Sequence, residues 1–235
     1  MPQKFRCVVT EIQDHGGQVY SVFLEPGTAA PRFRPGQFLH LALDEYTPGD
    51  FWPDSRSFSI ASSPAERESL RITYAVKGKY TTRMEKELYV GGQVWVKMPY
   101  GEFVVCNEHD VCLLAGGTGI TAFTAFLAGL PKNHACQVHL FYGAQRPALL
   151  IYRPLVEAAT RRCPALKVHF LAERDSDGTD CLPGRIEPEI VLGSVPNPLA
   201  LLYYLAGPPA MVQALTKGLR QCGLAPEQII ADAWE

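Results

Sequence analysis

The stretch Asp110 to Phe126 reads DVCLLAGGTGITAFTAF, and its residue types suit the holding of a phosphate. An apolar run, Val111 to Ala115, meets Gly116, Gly117, Thr118 and Gly119, and then small and apolar residues resume at helical density. The expected order is strand, tight turn, helix. Glycines supply the backbone angles of such a turn, and the free N–H groups at a helix start, backed by the helix dipole, favour an anion. Gly117, Gly119 and Ala122 satisfy G-x-G-x-x-G/A, although small residues at a strand–helix turn also serve packing alone. The acid that accompanies this pattern roughly 20 residues later in ordinary nicotinamide dehydrogenases is missing, because Phe141 to Arg146 (FYGAQR) carries no carboxylate. Nor does a GK[ST] follow the glycines, as a nucleoside triphosphatase would need.

A second cluster is RSFSIASSP, which starts at Arg56. On a strand, Arg56 and Phe58 share a face and Ser59 points the other way. An arginine suits a pyrophosphate, an aromatic ring suits a planar heterocycle, and a hydroxyl can bond a ring nitrogen. The same residues would also fit a strand with one surface arginine and one core phenylalanine.

The elements that must position these residues differ between the two halves. From residue 4 to 104, KFRCVVTEI, QVYSVFLE, GQFLHLALD, SRSFSIASS, SLRITYAVK and GQVWVKMP are short apolar and aromatic runs divided by Gly/Pro turns. This is the pattern of a β-barrel or sandwich. TTRMEKELY interrupts it as a helix that Thr81 or Thr82 could cap. From about residue 108, apolar runs at 111–115, 137–142, 166–172 and 199–206 alternate with helical stretches near 120–130, 148–162 and 208–222. Buried parallel strands in an open α/β sheet are expected, with the phosphate turn at their carboxyl ends. Two domains follow, 1–105 and 106–235, with the phosphate site facing the seam between them.

Bulk properties agree with an ordinary globular protein. The 235 residues are 47% hydrophobic and 20% charged, with 22 Lys+Arg against 24 Asp+Glu, so no basic excess points to nucleic acid. No run approaches the ~18 apolar residues of a membrane helix, and the first residues lack a signal-peptide core, so a cytoplasmic chain is expected. The seven cysteines are scattered with no CxxC pair, which indicates reduced thiols rather than a zinc or iron–sulfur site. His139 and His169 lie in apolar runs and read as strand residues.

Taken together and in order, R-x-[YF]-S at 56–59, G-x-x-[ST] at Gly78 to Thr81, GGTG at 116–119, a YG-x-R-like element at Tyr142 to Arg146, AGPPAM at 206–211 and an acidic–x–aromatic end at Asp232 to Trp234 resemble the ferredoxin–NADP reductase superfamily of flavoproteins. The resemblance spans essentially the whole chain. It implies an antiparallel flavin-binding β-barrel followed by a Rossmann-like, nicotinamide-binding open parallel sheet. Arg56 would hold the flavin pyrophosphate, Phe58 would pack on the isoalloxazine ring, and Ser59 would approach N5 and come nearest to a catalytic role. Tyr74, Val76 and Lys77 would offer backbone contacts, and Gly78, Thr81 and Thr82 would cradle the FAD phosphates. Gly117, Thr118, Gly119, Ile120 and Thr121 would take the nicotinamide cofactor's pyrophosphate. Gly207, Pro208 and Met211 would shape its nicotinamide end, and Trp234 would stack near the flavin.

The resemblance further implies an FAD-dependent NAD(P)H oxidoreductase, with FAD rather than FMN and no metal. The electron acceptor would be separate: a ferredoxin-like or cytochrome protein, a small molecule, or free flavin used as a dissociable substrate. A non-catalytic nucleotide-binding subunit of an electron-transfer complex is the alternative of another class. Three departures stand out: Ala122 replaces a frequent Pro, Ala206 replaces a frequent Cys, and Glu173-Arg174 stands where NADP-using members carry Ser-Arg. A carboxylate repels a 2′-phosphate but accepts a hydrogen bond from a free ribose hydroxyl. NADH is therefore expected over NADPH, with Arg174 and Arg146 pulling the other way.

Overall fold

The computed structural model describes residues 1–232. The chain divides into two compact units, Met1–Val104 and Val105–Glu235. The first unit runs β1 (Gln3–Asp14), β2 (Val19–Pro26), β3 (Phe38–Ala42), β4 (Ser55–Ser59), β5 (Leu70–Ala75), α1 (Lys79–Glu87) and β6 (Gln93–Tyr100). Its six strands pair antiparallel in the order β4-β3-β6-β1-β2-β5. Alternation sets which side faces in: on β6, Val94, Val96 and Met98 are at most 1% exposed while Gln93, Trp95 and Lys97 lie outside. They join Val9, Val22, Leu39, Leu41 and Ile72 in one core, into which α1 sends Tyr80 and Met84.

The sheet nearly closes into a barrel. The strands β4 and β5 are its two edges, and just beyond β4 the Ala61 N–H donates to the Arg71 carbonyl at 2.8 Å. The barrel and the parallel sheet are the architecture that the sequence implied. One local expectation fails: the N-cap of α1 is Gly78, not Thr81 or Thr82. The cap lies three residues ahead of Thr81, whose hydroxyl turns back to accept the Gly78 N–H at 3.1 Å.

The second unit contains β7 (Val111–Gly116), α2 (Thr121–Gly129), β8 (Val138–Ala144), α3 (Arg153–Arg162), β9 (Leu166–Ala172), β10 (Leu182–Pro183), α4 (Pro188–Ser194), β11 (Leu202–Ala206), α5 (Pro209–Gln221) and β12 (Ile229–Ala231). The strands are parallel in the order β10-β9-β8-β7-β11-β12. All six residues of β7 are buried, as expected for a strand covered on both faces. Cys112, Leu114 and Phe141 pack with Val191 of α4 and Val212, Leu215 and Leu219 of α5, leaving Leu113, Leu140 and Tyr142 to the other face. There α2 packs against α3. Arg162 of α3 donates to the carbonyls of Leu127, Ala128 and Leu130 at 2.8–2.9 Å, which satisfies groups the end of α2 leaves over. The chain passes from β7 outward to β10 and then returns beside β7 as β11, so the sheet changes direction between β7 and β11. Ligands of open α/β sheets bind outside the carboxyl ends at such a switch.

Candidate cofactor sites

In the first unit the register places Arg56 opposite Leu41 and Phe58 opposite Leu39, both fully buried core residues. Arg56 and Phe58 therefore lie on the core-facing side of β4, but at the barrel edge. Half-buried Phe58 meets Tyr74 edge-on at 6.2 Å between ring centroids, and Tyr74, 4% exposed, stacks on Tyr20 at 5.6 Å. Ser59, opposite Phe38, is half-buried. Arg56 lies over the Tyr80 ring, 4.9 Å from Cζ to centroid. The Tyr80 hydroxyl in turn donates to the Leu41 carbonyl at 2.6 Å. Tyr80 thus ties the guanidinium to the first turn of α1.

That first turn has no side-chain cap, because Gly78 has no side chain to offer. A Cβ built on Gly78 would meet nothing within 4 Å. The Thr81 hydroxyl accepts the N–H groups of Lys77 and Gly78 at 2.9 and 3.1 Å, and the Val76 N–H donates to the Gln18 carbonyl at 2.9 Å. The main-chain donors of Val76 and Lys77 are thus engaged within the chain, and Thr82 gives its N–H to the Gly78 carbonyl. What remains open is the start of α1 itself.

In the second unit, β7 runs into one 3₁₀ turn, Gly117–Ile120, and then α2, with no side-chain cap at either junction. The glycines divide by role. Gly117 has φ +53° and open space where a Cβ would be. A Cβ on Gly119 would stand 2.4 Å from the Ala206 carbonyl oxygen, and one on Gly116 would stand 2.5 Å from the Met211 sulfur. Gly207, at φ +152°, lets Met211 approach from the other side. Gly116, Gly119 and Gly207 thus allow the turn and the end of β11 to touch under Met211, while Gly117 leaves space for a ligand. Pro208 caps α5. Ile120 and Thr121 are buried, and the Thr121 hydroxyl donates to the Thr118 carbonyl at 2.8 Å.

The carboxyl ends of β8 and β9 stay joined beyond the sheet, with the Glu173 and Arg174 N–H groups donating to the carbonyls of Ala144 and Gln145. Here Arg146 pairs with Asp175 at 3.3 Å and Glu173 with Arg185 at 2.9 Å. Asp232 follows β12 and gives its N–H to the Leu205 carbonyl at 2.8 Å. Its Oδ1 is buried with no hydrogen-bond partner among the described residues, and burial raises its pKa from 3.8 to about 7. Trp234 lies outside the described residues.

Against known proteins, residues 113–217 match the sequence profile of the oxidoreductase NAD-binding domain. The chain is 30% identical to the NAD(P)H-flavin reductase of Vibrio harveyi, over 71% of this chain and 70% of that protein. It belongs to the ferredoxin–NADP reductase superfamily. Another superfamily relative is the reductase component of propane 2-monooxygenase from Rhodococcus jostii, 30% identical over 98% of this chain. The chain spans only 63% of that protein's length. The fold is that of the flavohem-like FAD/NAD binding domain of nitric oxide dioxygenase from Vibrio cholerae, with TM-score 0.78, 22% identity and 97% of both chains covered.

For a superfamily member, the chemistry of the donors present fits two phosphorylated, planar ligands. The first unit offers a guanidinium, an uncapped helix start and paired rings, and the second offers an open glycine turn beneath a thioether. Among the described residues no three His, Cys, Asp or Glu side chains gather as a metal site, and no helix is long and apolar enough to cross a membrane. Two residues beside these sites escape sequence reading. Tyr80 reads only as a core aromatic, and Asp54, which pairs with Arg56 at 2.7 Å, reads as one more loop acid.

Proposed function

We propose that the chain is an FAD-dependent NAD(P)H oxidoreductase that passes electrons to a separate acceptor. The observation that carries this reading is the convergence of Arg56, Tyr80 and the open start of α1 next to the Phe58–Tyr74 ring pair. Arg56 and the first turn of α1 hold the flavin phosphates, joined there by Gly78, Thr81 and Thr82. Phe58 would pack on the flavin ring, Ser59 would approach its N5 edge, and Tyr74, Val76 and Lys77 would offer contacts to it. Gly117 to Thr121 seat the nicotinamide cofactor's pyrophosphate, and Gly207, Pro208 and Met211 bound its nicotinamide end. When bound, flavin and nicotinamide would supply the redox chemistry, hydride transfer followed by release of electrons singly or in pairs. The protein supplies stacking, alignment and electrostatics.

We further infer a preference for NADH. Glu173, although paired with Arg185, puts a carboxylate where a 2′-phosphate would lie, and the opposing charge of Arg146 is matched by Asp175. The acceptor is a redox protein or a small molecule; reductase components of oxygenase systems are among the relatives.

A second reading, an NAD(P)H:flavin reductase from which flavin departs, is favoured by the similarity to the Vibrio harveyi enzyme. Purification decides between them. Yellow protein with stoichiometric FAD that bleaches on adding NADH supports the bound-cofactor enzyme. Colourless protein that oxidises NADH only with added flavin supports the reductase. Protein that binds nucleotide without ever reducing flavin overturns both and leaves a non-catalytic subunit.

A further inference from the structure

Arg56 does not wait for a ligand with its charge unmatched. Its Nη1 donates to Asp54 Oδ1 at 2.7 Å and to the Ser55 carbonyl at 2.7 Å, so both hydrogens on that nitrogen are spent within the chain. Tyr80, itself anchored on Leu41, backs the guanidinium at 4.9 Å, and Nε and Nη2 carry the hydrogens that are not spent on Asp54 and Ser55. The carboxylate is tethered two positions from the arginine, so its local concentration is high and constant. Any phosphate arriving at Arg56 meets a guanidinium whose charge is already offset, and it also meets the negative charge of Asp54 itself. A flavin without phosphate meets neither effect.

We propose that Asp54 is a specificity-determining residue for the flavin, an internal competitor for Arg56 that lowers affinity for phosphate-bearing flavins relative to riboflavin. The inference rests on the reading of Arg56 as a flavin-phosphate ligand. Its consequence is a flavin site set toward exchange. Both side chains of the pair are substantially exposed, 49% for Arg56 and 63% for Asp54, so Asp54 can be changed without disturbing the core.

The test is equilibrium titration of the full chain, freed of flavin, with FAD, FMN and riboflavin, followed by flavin fluorescence. Asp54→Asn should tighten FAD and FMN by roughly threefold to fivefold, the range of an exposed ion pair, and leave riboflavin unchanged. The gain should shrink as salt is raised, and Asp54→Asn made in an Arg56→Ala background should give a smaller gain than in the wild type, because only the direct repulsion of the phosphate is then relieved. Unchanged or weaker FAD binding in Asp54→Asn, or an equal gain for riboflavin, overturns the proposal. Arg56→Ala alone separates the two levels. It should weaken FAD by roughly tenfold to a hundredfold. If it does so while Asp54→Asn has no effect, only the competitor role falls; if it does not, the flavin-phosphate reading falls and the competitor role falls with it.

Discussion

Glu173 and Asp232 show how far a residue's behaviour depends on partners distant in sequence. Glu173 is bonded to Arg185 at 2.9 Å, so Glu173→Ser removes a repulsive charge and also frees a guanidinium for a 2′-phosphate. The kcat/KM ratio of NADPH to NADH should rise by about tenfold, ~1.4 kcal/mol, in steady-state kinetics with both cofactors; an unmoved ratio removes the basis for the NADH preference. Asp232 carries a pKa raised from 3.8 to about 7 by burial, so the folded protein binds a proton there that the unfolded chain has released. Between about pH 4 and pH 7 this group lowers stability as pH rises, the reverse of the usual paired carboxylate. Comparing unfolding midpoints of wild type and Asp232→Asn across that range should show the wild type losing ground with rising pH. A constant difference would mean that the carboxyl titrates normally. The placement of Arg56 and Phe58 on one face of a strand, and of Gly117 in a turn between strand and helix, was legible because it follows from local pattern. Asp54, Tyr80 and Arg185 were not, because an ion pair or a cation–ring contact leaves no periodic trace in sequence.

At the level of elements, the strands of the first unit were legible because one face is buried, which writes period-two alternation into runs such as GQVWVKMP. Those of the second unit were legible as short continuous apolar runs, as β7 illustrates with every residue buried. The elements that escaped were β10, β12 and α4, of two, three and seven residues, too short for any period to register. The turn after β7 separates two roles that the pattern G-x-G-x-x-A merges. Gly119→Ala would force a methyl to 2.4 Å from the Ala206 carbonyl, backbone against backbone, and should cost about 1–3 kcal/mol in urea unfolding. Gly117→Ala meets open space and should cost only about 1 kcal/mol for its positive φ, while weakening the nicotinamide cofactor more than the flavin. Equal stability losses would mean that the turn can shift away from β11.

For the whole molecule, two cores built on different principles, an alternating barrel and a two-faced parallel sheet, were readable from the change of period near residue 108. Because the proposed flavin-phosphate ligands all belong to the barrel, FAD should stabilise the folded state by mass action, about 2.7 kcal/mol at a hundredfold excess over its Kd. Thermal scans with FAD and riboflavin at equal concentrations should show the larger shift for FAD, and equal shifts would place the phosphates away from the protein. The gap between β4 and β5 carries one more consequence. An unpaired edge is a template on which another chain can add a strand. Here one edge is only five residues long and carries Arg56, and the other carries Arg71. Asp54 offsets the charge of Arg56 and the Ala61 N–H already bridges to Arg71, so what discourages a second copy from adding a strand here is the shortness of β4 and β5 and the little backbone that this bridge leaves unpaired.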